Sequence, residues 1–473
     1  MPTPGLRLFQ CVAAAIAALP LAAADLDARI HRIEQSLRPA VAIAGQPQPQ
    51  YTIADRLKFY KTPGVSVAVV ADGKLEWARG YGVLAENGKP VDPLTLFQAA
   101  SISKPVAAMV ALRLVDDGKL SLDEDVNLKL RSWKIPENEF TKTQKVTLRR
   151  LLNHSAGLTV HGFAGYAADE VAPSLLDLLD GKKPANSAPI RVDIAPGAMY
   201  RYSGGGYEVM QQLVTDVAGK PFPQLAQELV LGPRGMSRSA YAQPLPANLQ
   251  ANAAAGHGAD GAIVKGRWHT YPELAAAGLW TTPSDLARII LELQKGGHVL
   301  KPATQREMLT KLTGDYGLGL ALRETEGRKS FSHGGANAGF RCTLFGYLDS
   351  GSGAVVMTNG DRGAALADEI LRSISAEYDW ADYKTKERTV ARVDPLILQE
   401  YAGRYLLAPG FEVAVTCENG KLFATARGNK VELLPESPTD FFALEPEVPP
   451  IRFTRASDNS IELSAGGAAA KRQ

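Results

Sequence analysis

The chain has 473 residues, with 52 lysines and arginines against 50 aspartates and glutamates. This near balance leaves no basic stretch of the kind that tracks nucleic acid or anionic lipid, so neither is expected as a partner. The length suffices for more than one domain, and no internal repeat or low-complexity segment interrupts it.

Residues 1–24 carry one positive charge, Arg7, an alanine-rich apolar stretch, and Ala22-Ala23-Ala24 ahead of Asp25. That is the layout of a cleavable signal peptide and predicts a periplasmic or secreted protein. Pro20 interrupts the apolar stretch, which is too short for a membrane span, so no stable insertion is expected after cleavage. Cys11 precedes the apolar segment instead of closing it, which argues against a lipoprotein anchor. Leu26, Ile30, Ile33 and Leu37 then mark a short helix, followed by a Pro/Gln-rich connector over 45–50. Two apolar runs, 65–70 and 75–81, flank Asp72-Gly73 and read as a hairpin. After Lys104 apolar residues recur at helical spacing (Val106, Met109, Val110, Leu112, Leu114) until Asp117-Gly118 stops the helix.

The middle of the chain, 100–300, reads as helical and loop-rich. Pro196 to Tyr207 is a turn and a glycine loop, and the helical run behind it (Val209, Leu213, Val214, Val217) ends at Gly219. The sheet resumes from Tyr316, with strand-like stretches over 340–348 and 354–357 behind Phe331-Ser332-His333-Gly334-Gly335-Ala336. A polar linker over 383–395 leads to seven short strands separated by turns such as Asn419-Gly420 and Arg427-Gly428. Regular short strands of this kind predict a small antiparallel barrel over 396–473. The expected domains are thus 1–24, 25–382 and 396–473, joined by the linker.

Ser101-Ile102-Ser103-Lys104 carries the chemistry. Three residues apart at a helix start, the hydroxyl of Ser101 and the amine of Lys104 emerge on one face. Ser101 is expected in the first helical turn, where unpaired N–H groups favour developing negative charge. A serine is a weak nucleophile until a neighbouring base takes its proton. Alone, such a serine is more often a helix cap, so the pattern needs partners. Tyr202 on the glycine loop is one, and His333-Gly334-Gly335, where absent side chains let a substrate lie against the strand, is another.

With these three segments, the chain resembles serine hydrolases built like class C β-lactamases, penicillin-binding DD-peptidases, D-aminopeptidases and related carboxylesterases. Ser101-x-x-Lys104 matches their first motif, Tyr202-Ser203-Gly204 stands where Tyr-x-Asn would, and His333-Gly334-Gly335 where Lys-Thr-Gly or His-x-Gly would. Leu151-Leu152-Asn153-His154-Ser155-Ala156-Gly157 and Ala277-Gly278-Leu279-Trp280-Thr281-Thr282-Pro283 add matches outside the motifs. The resemblance implies an α/β fold: an antiparallel sheet flanked by helices with an inserted helical region, beside a lipocalin-like C-terminal barrel that either gates the cleft or simply packs. It implies that Ser101 is acylated, that Lys104 and Tyr202 share proton transfer, and that the N–H groups of Ser101 and Ala336 form an oxyanion hole. Gly204, His333, Gly334 and Gly335 would meet the substrate.

Two departures narrow the substrate. Gly204 removes the asparagine amide, and His333 replaces a fixed cation by a group expected to titrate near 6.5. Both favour esterases and D-amino-acid amidases or peptidases over β-lactamases and DD-peptidases, and a non-turning-over binding or sensing module is the alternative from another class. The partner is then a small ester, amide or peptide. Asn153-His154-Ser155-Ala156-Gly157 lacks the leading glycine and strand of a nucleophile elbow, so Ser155 and His154 read as structural. His31, His161, His257, His269 and His298 are scattered without ligand spacing, so no metal or other cofactor is expected. Trp268 and Tyr166 are candidates for the cleft wall or the core, and Cys342 and Cys417 are either paired or buried free thiols.

Overall fold

Asp72 and Gly73 both adopt positive φ, 50° and 65°, which is the backbone of a tight hairpin turn. The turn folds Gly64–Ala71 against Lys74–Gly82. The computed structural model of the chain describes residues 25–85, 88–445 and 448–473, so the signal-peptide reading lies outside the described residues. Contacts separate two units, one of residues 53–371 and one of 25–52 with 372–473.

The larger unit holds a six-stranded sheet in the order Lys74–Gly82, Gly64–Ala71, Gly353–Thr358, Phe340–Tyr347, Arg328–Asn337, Ala321–Thr325, antiparallel throughout. Every residue of Gly64–Ala71 is buried. A strand covered on both faces reads as a continuous apolar run, as this one does. The helix Pro283–Lys295 starts on a Thr282 cap, whose hydroxyl accepts the Asp285 N–H, and packs across the sheet centre. Between the two parts of the sheet in sequence lies the expected helical region, in which Ser103–Asp116, Gly204–Ala218 and Leu274–Ala277 pack together. Ser101, Tyr202 and His333 lie where that region meets the strand Arg328–Asn337.

In the smaller unit, eight strands from Gly403–Ala408 to Ala468–Lys471 form a sheet in chain order. It nearly closes, with Tyr405 bridging Arg472 and the Gln473 N–H donating to the Arg404 carbonyl at 2.9 Å. Tyr405, Phe441, Phe453 and Leu463 fill the interior, and Tyr401 stacks on Phe453 at 4.2 Å. The barrel is thus a packed core. Seven of its strands match the sequence reading; Ala468–Lys471 is the eighth. Residues 25–35 are helical as expected, but 25–52 group with the chain after 371 instead of with residues 53–371. Val41–Ile43 pairs in parallel with Lys386–Arg388, inside the stretch read as linker, and Arg32 bonds Glu377. Cys342 and Cys417 are both free.

Candidate active site

Phe97–Gln98 pairs with Trp280–Thr281, and the Ala99 N–H donates to the Leu279 carbonyl at 2.8 Å, which anchors the turn ahead of the nucleophile. Ala100 is buried with φ +49°. A side chain in this left-handed region costs about 1–3 kcal/mol and persists only where the surroundings fix it. Ser101 follows in a 3₁₀ turn, Ala100–Ile102, and not in the α-helix as expected; the α-helix begins at Ser103. Lys104, 2% exposed, reaches back so that Nζ donates to Ser101 Oγ at 3.1 Å and to the Ala276 carbonyl at 2.9 Å. The spacing of the first motif thus produces the expected nucleophile–amine contact.

Tyr202 enters from the other side. Its ring centroid lies 5.0 Å from Lys104 Nζ, and no hydrogen bond joins the two side chains among the described residues. Ser203 caps the helix Gly204–Ala218, its Oγ accepting the Gly206 N–H at 3.0 Å and donating to the Thr159 carbonyl at 2.9 Å. The first two of the three glycines behind it are required by crowding. A Cβ on Gly204 would lie 2.9 Å from the Phe163 ring and 3.1 Å from the His161 carbonyl; one on Gly205 would lie 2.8 Å from the Thr159 carbonyl. Gly204 is buried, so the space of the family's asparagine side chain is closed by Phe163.

The third motif lies on Arg328–Asn337. A Cβ on Gly335 would sit 2.3 Å from the Ala99 carbonyl, so only glycine lets this strand press its backbone against the nucleophile turn, and Ala336 follows directly. Gly334 has open space beside it and is exposed. Asn337 locks the strand end, donating to Gln98 Oε1 at 2.8 Å. His333 is buried, and its Nδ1–H donates to the Gly334 carbonyl at 2.7 Å, leaving Nε2 as a bare acceptor without a partner. Burial and, second, the charge of Lys104 push its pKa down to about 3. The expected titration near 6.5 is therefore overturned: His333 presents a lone pair, not a switchable cation.

Several residues of this cluster are not evident from sequence. The carbonyl partner of Lys104 comes from the short helix Leu274–Ala277, whose N–H groups at Ala275 and Ala276 donate to Gln211 and Glu208 at 2.8 and 3.0 Å. Glu208 and Glu273 are fully buried, and burial raises both, Glu273 to about 8. His154 lies with its ring 4.3 Å from that of Tyr202 and 5.0 Å from that of Tyr316. In the sequence it stands in the Leu151 to Gly157 match and reads as structural; it follows Asn153, the C-cap of the helix Leu148–Leu152. Ser155 is buried and donates to Asn153 Oδ1 at 2.7 Å, away from any proton-transfer role. Trp268 belongs to the hydrophobic core, and Tyr166 is buried, its hydroxyl accepting the Asn186 N–H at 3.0 Å. Among the described residues no group of three or more His, Cys, Asp or Glu is arranged to hold a metal.

Residues 50–377, which include the Ser101–Lys104 pair and the six-stranded sheet, match the family described as Beta-lactamase. The chain belongs to the β-lactamase family. Residues 387–462 match a second family, described as Domain of unknown function (DUF3471). Among curated family relatives, Penicillin-binding protein 4* of Bacillus subtilis is 24% identical, covering 83% of this chain and 87% of its own. Esterase EstB of Burkholderia gladioli is 33% identical over 38% of this chain and 48% of its own, and the D-aminopeptidase of Brucella canis 26% identical over 67% and 60%. Among solved structures, the octameric penicillin-binding protein homologue from Pyrococcus abyssi aligns with a TM-score of 0.61 at 22% identity, over 89% of this chain and 98% of that one. The D-amino acid amidase from Ochrobactrum anthropi SV3 aligns at 0.57 and 21% identity, over 69% and 97%. At these identities the structural likeness speaks for the fold alone.

Proposed function

We propose that this member of the β-lactamase family hydrolyses small esters or amides, of the carboxylesterase or D-amino-acid amidase type, through a covalent acyl-enzyme. The observation that carries the reading is the 3.1 Å contact between Lys104 Nζ and Ser101 Oγ, in a turn against which Gly335 brings the strand backbone. Ser101 Oγ attacks the substrate carbonyl carbon while its proton passes to the Lys104–Tyr202 pair. The carbonyl oxygen, now anionic, is received by the N–H groups of Ser101 and Ala336, an arrangement of donors that typically contributes about 3 kcal/mol to lowering the barrier. Collapse expels the alcohol or amine, which takes up the proton, and water then releases the acid by the same steps in reverse.

The substrate class follows from two side chains. A neutral His333 supplies no positive charge for a carboxylate, and Gly204 supplies no amide, so β-lactams and peptides ending in a free carboxylate lack the clamp they need. The esterase and D-aminopeptidase relatives are in keeping with this choice.

The test is a panel of short-chain nitrophenyl esters, D-amino-acid nitroanilides and a chromogenic cephalosporin, with a fluorophosphonate label. Turnover of esters or D-amides is expected, with label on Ser101 that is lost in Ser101→Ala and kept in Ser155→Ala. Label on another serine, or an acylation burst without turnover on every substrate, would overturn the reading.

A further inference from the structure

Tyr202 is held from outside its own segment. The Arg201 N–H donates to the His154 carbonyl at 2.8 Å, and the Ser203 N–H donates to His154 Nδ1 at 3.1 Å. One residue therefore takes the backbone N–H on each side of the tyrosine, and lays its ring 4.3 Å from the phenol between them. His154 has φ +60°, an uncommon conformation for a side chain this size. The turn is fixed by Asn153, whose Oδ1 accepts from the Ser155 N–H at 3.1 Å and hydroxyl at 2.7 Å. His161 completes the cage, its Nδ1–H donating to the Tyr202 carbonyl at 2.6 Å.

We propose that His154 is a positioning residue for Tyr202: its carbonyl and imidazole bracket the tyrosine backbone and set where the phenol stands relative to Ser101 and Lys104. This rests on the reading of Tyr202 as part of the proton-transfer pair. An Nδ1 that accepts an N–H fixes the neutral tautomer with its proton on Nε2. Burial and, second, the charge of Lys104 hold the group well below its usual range and so keep it neutral. Nε2 has no hydrogen-bond partner and is buried among the Tyr200, Tyr202, Tyr207 and Tyr316 rings. A purely structural residue would be served as well by an apolar ring in such surroundings. The imidazole differs from one in its Nδ1 acceptor, and that acceptor is used on the residue next to the tyrosine.

The residues around Ser203 explain why an acceptor is needed there. As the cap of Gly204–Ala218, Ser203 uses its hydroxyl on Gly206 and Thr159, so its own N–H has no partner within the helix and, buried, must find one elsewhere. Without it, the pivot on which Tyr202 turns is loosened, and displacement of a proton-transfer group by about 1 Å can cost about a hundredfold in rate.

The experiment is a double-mutant cycle on whichever substrate the wild type turns over. His154→Phe keeps a ring and loses the acceptor; His154→Asn places Oδ1 where Nδ1 stood; His154→Gln places its oxygen elsewhere. Phe and Gln should lower kcat by about 10- to 100-fold with KM little changed, and Asn should recover most of the loss, as expected when the reacting geometry alone is disturbed. In a Tyr202→Phe background His154→Phe should cost little more, because both changes remove one function. Equal losses in both backgrounds, equal activity of the Asn and Gln variants, or full activity of His154→Phe would each overturn the proposal. If His154→Phe does not fold, the Asn–Gln pair in the two backgrounds separates the same outcomes. An inactive wild type with no label on Ser101 would instead sink the functional reading beneath it.

Discussion

The two sides of the candidate active site are built differently. Ser101 and Lys104 come from one short segment, so that local backbone geometry alone brings amine to hydroxyl; the neighbours needed are Ala276 and the Gly335 backbone. Tyr202 lies just ahead of the helix Gly204–Ala218, whose first three residues are the glycines that the sequence places in a loop, and its neighbours on both sides are tied down by His154, with His161 on its carbonyl. The first side is specified by spacing, the second by residues about 40 or more positions away in sequence. Gly204, a departure from the family's second motif, lies on the side that is held from outside.

The largest effects should test whether the two sides serve one proton path. Lys104→Ala and Tyr202→Phe should each lower turnover by about a hundredfold or more, and the double mutant should fall well short of the product of the two losses. Multiplicative losses in kcat would separate the sides into independent functions.

Crowding at the junction comes next. Gly335→Ala forces a Cβ to 2.3 Å from the Ala99 carbonyl, so it must shift the strand from the nucleophile turn and should reduce kcat/KM by about 10- to 100-fold. Gly334→Ala meets nothing closer than 3.9 Å and should keep the wild-type melting temperature. Equal behaviour of the two variants in activity and melting would show that the strand's approach is not what completes the site.

On the tyrosine side, restoring the family's asparagine should fail. Gly204→Asn sets a side chain against Phe163 and should destabilise by about 1–3 kcal/mol, the usual range for overpacking. Adding Phe163→Ala should return part of that loss in denaturant unfolding. No loss in the single variant would mean that the site retains room for an amide.

The smallest effect is on the pH dependence of stability. Glu273 is raised from 4.5 to about 8, so the folded protein keeps a proton that the unfolded chain releases near 4.5, and the contribution present below that pH is lost as pH rises through about 8. His333, lowered from 6.5 to about 3, acts in the opposite sense: its contribution is present above 6.5 and is lost as pH falls toward 3. Glu273→Gln should therefore flatten the decline in melting temperature between about pH 4.5 and 8, and leave the acid side unchanged. An unaltered alkaline side would mean that Glu273 is ionised in the fold.

What can be read from sequence follows the same division. The Asp72-Gly73 hairpin, the Ser101–Lys104 spacing, the helix stop at Gly219 and the turns at Asn419-Gly420 and Arg427-Gly428 are local signals, and the structure has each of them. The pairings of Phe97–Gln98 with Trp280–Thr281 and of Val41–Ile43 with Lys386–Arg388 are not legible, because strands of two or three residues carry no periodicity. His333 is legible as a motif residue but not as a neutral one, since its charge is decided by burial and by Lys104. Ala468–Lys471 carries no strand signal because alanine is a poor strand former, and its conformation comes from pairing with Ile461–Ala465.

That last strand also bears on how the protein is made. The barrel does not close until Ala468–Lys471 is in place, and until then Gly403–Ala408 and Ile461–Ala465 each present a row of unpaired backbone groups. Open edges of this kind recruit strands from other chains. Closing that seam falls to three alanines and Lys471, which pair their backbone with Ile461–Ala465 while the lysine bonds Asp458.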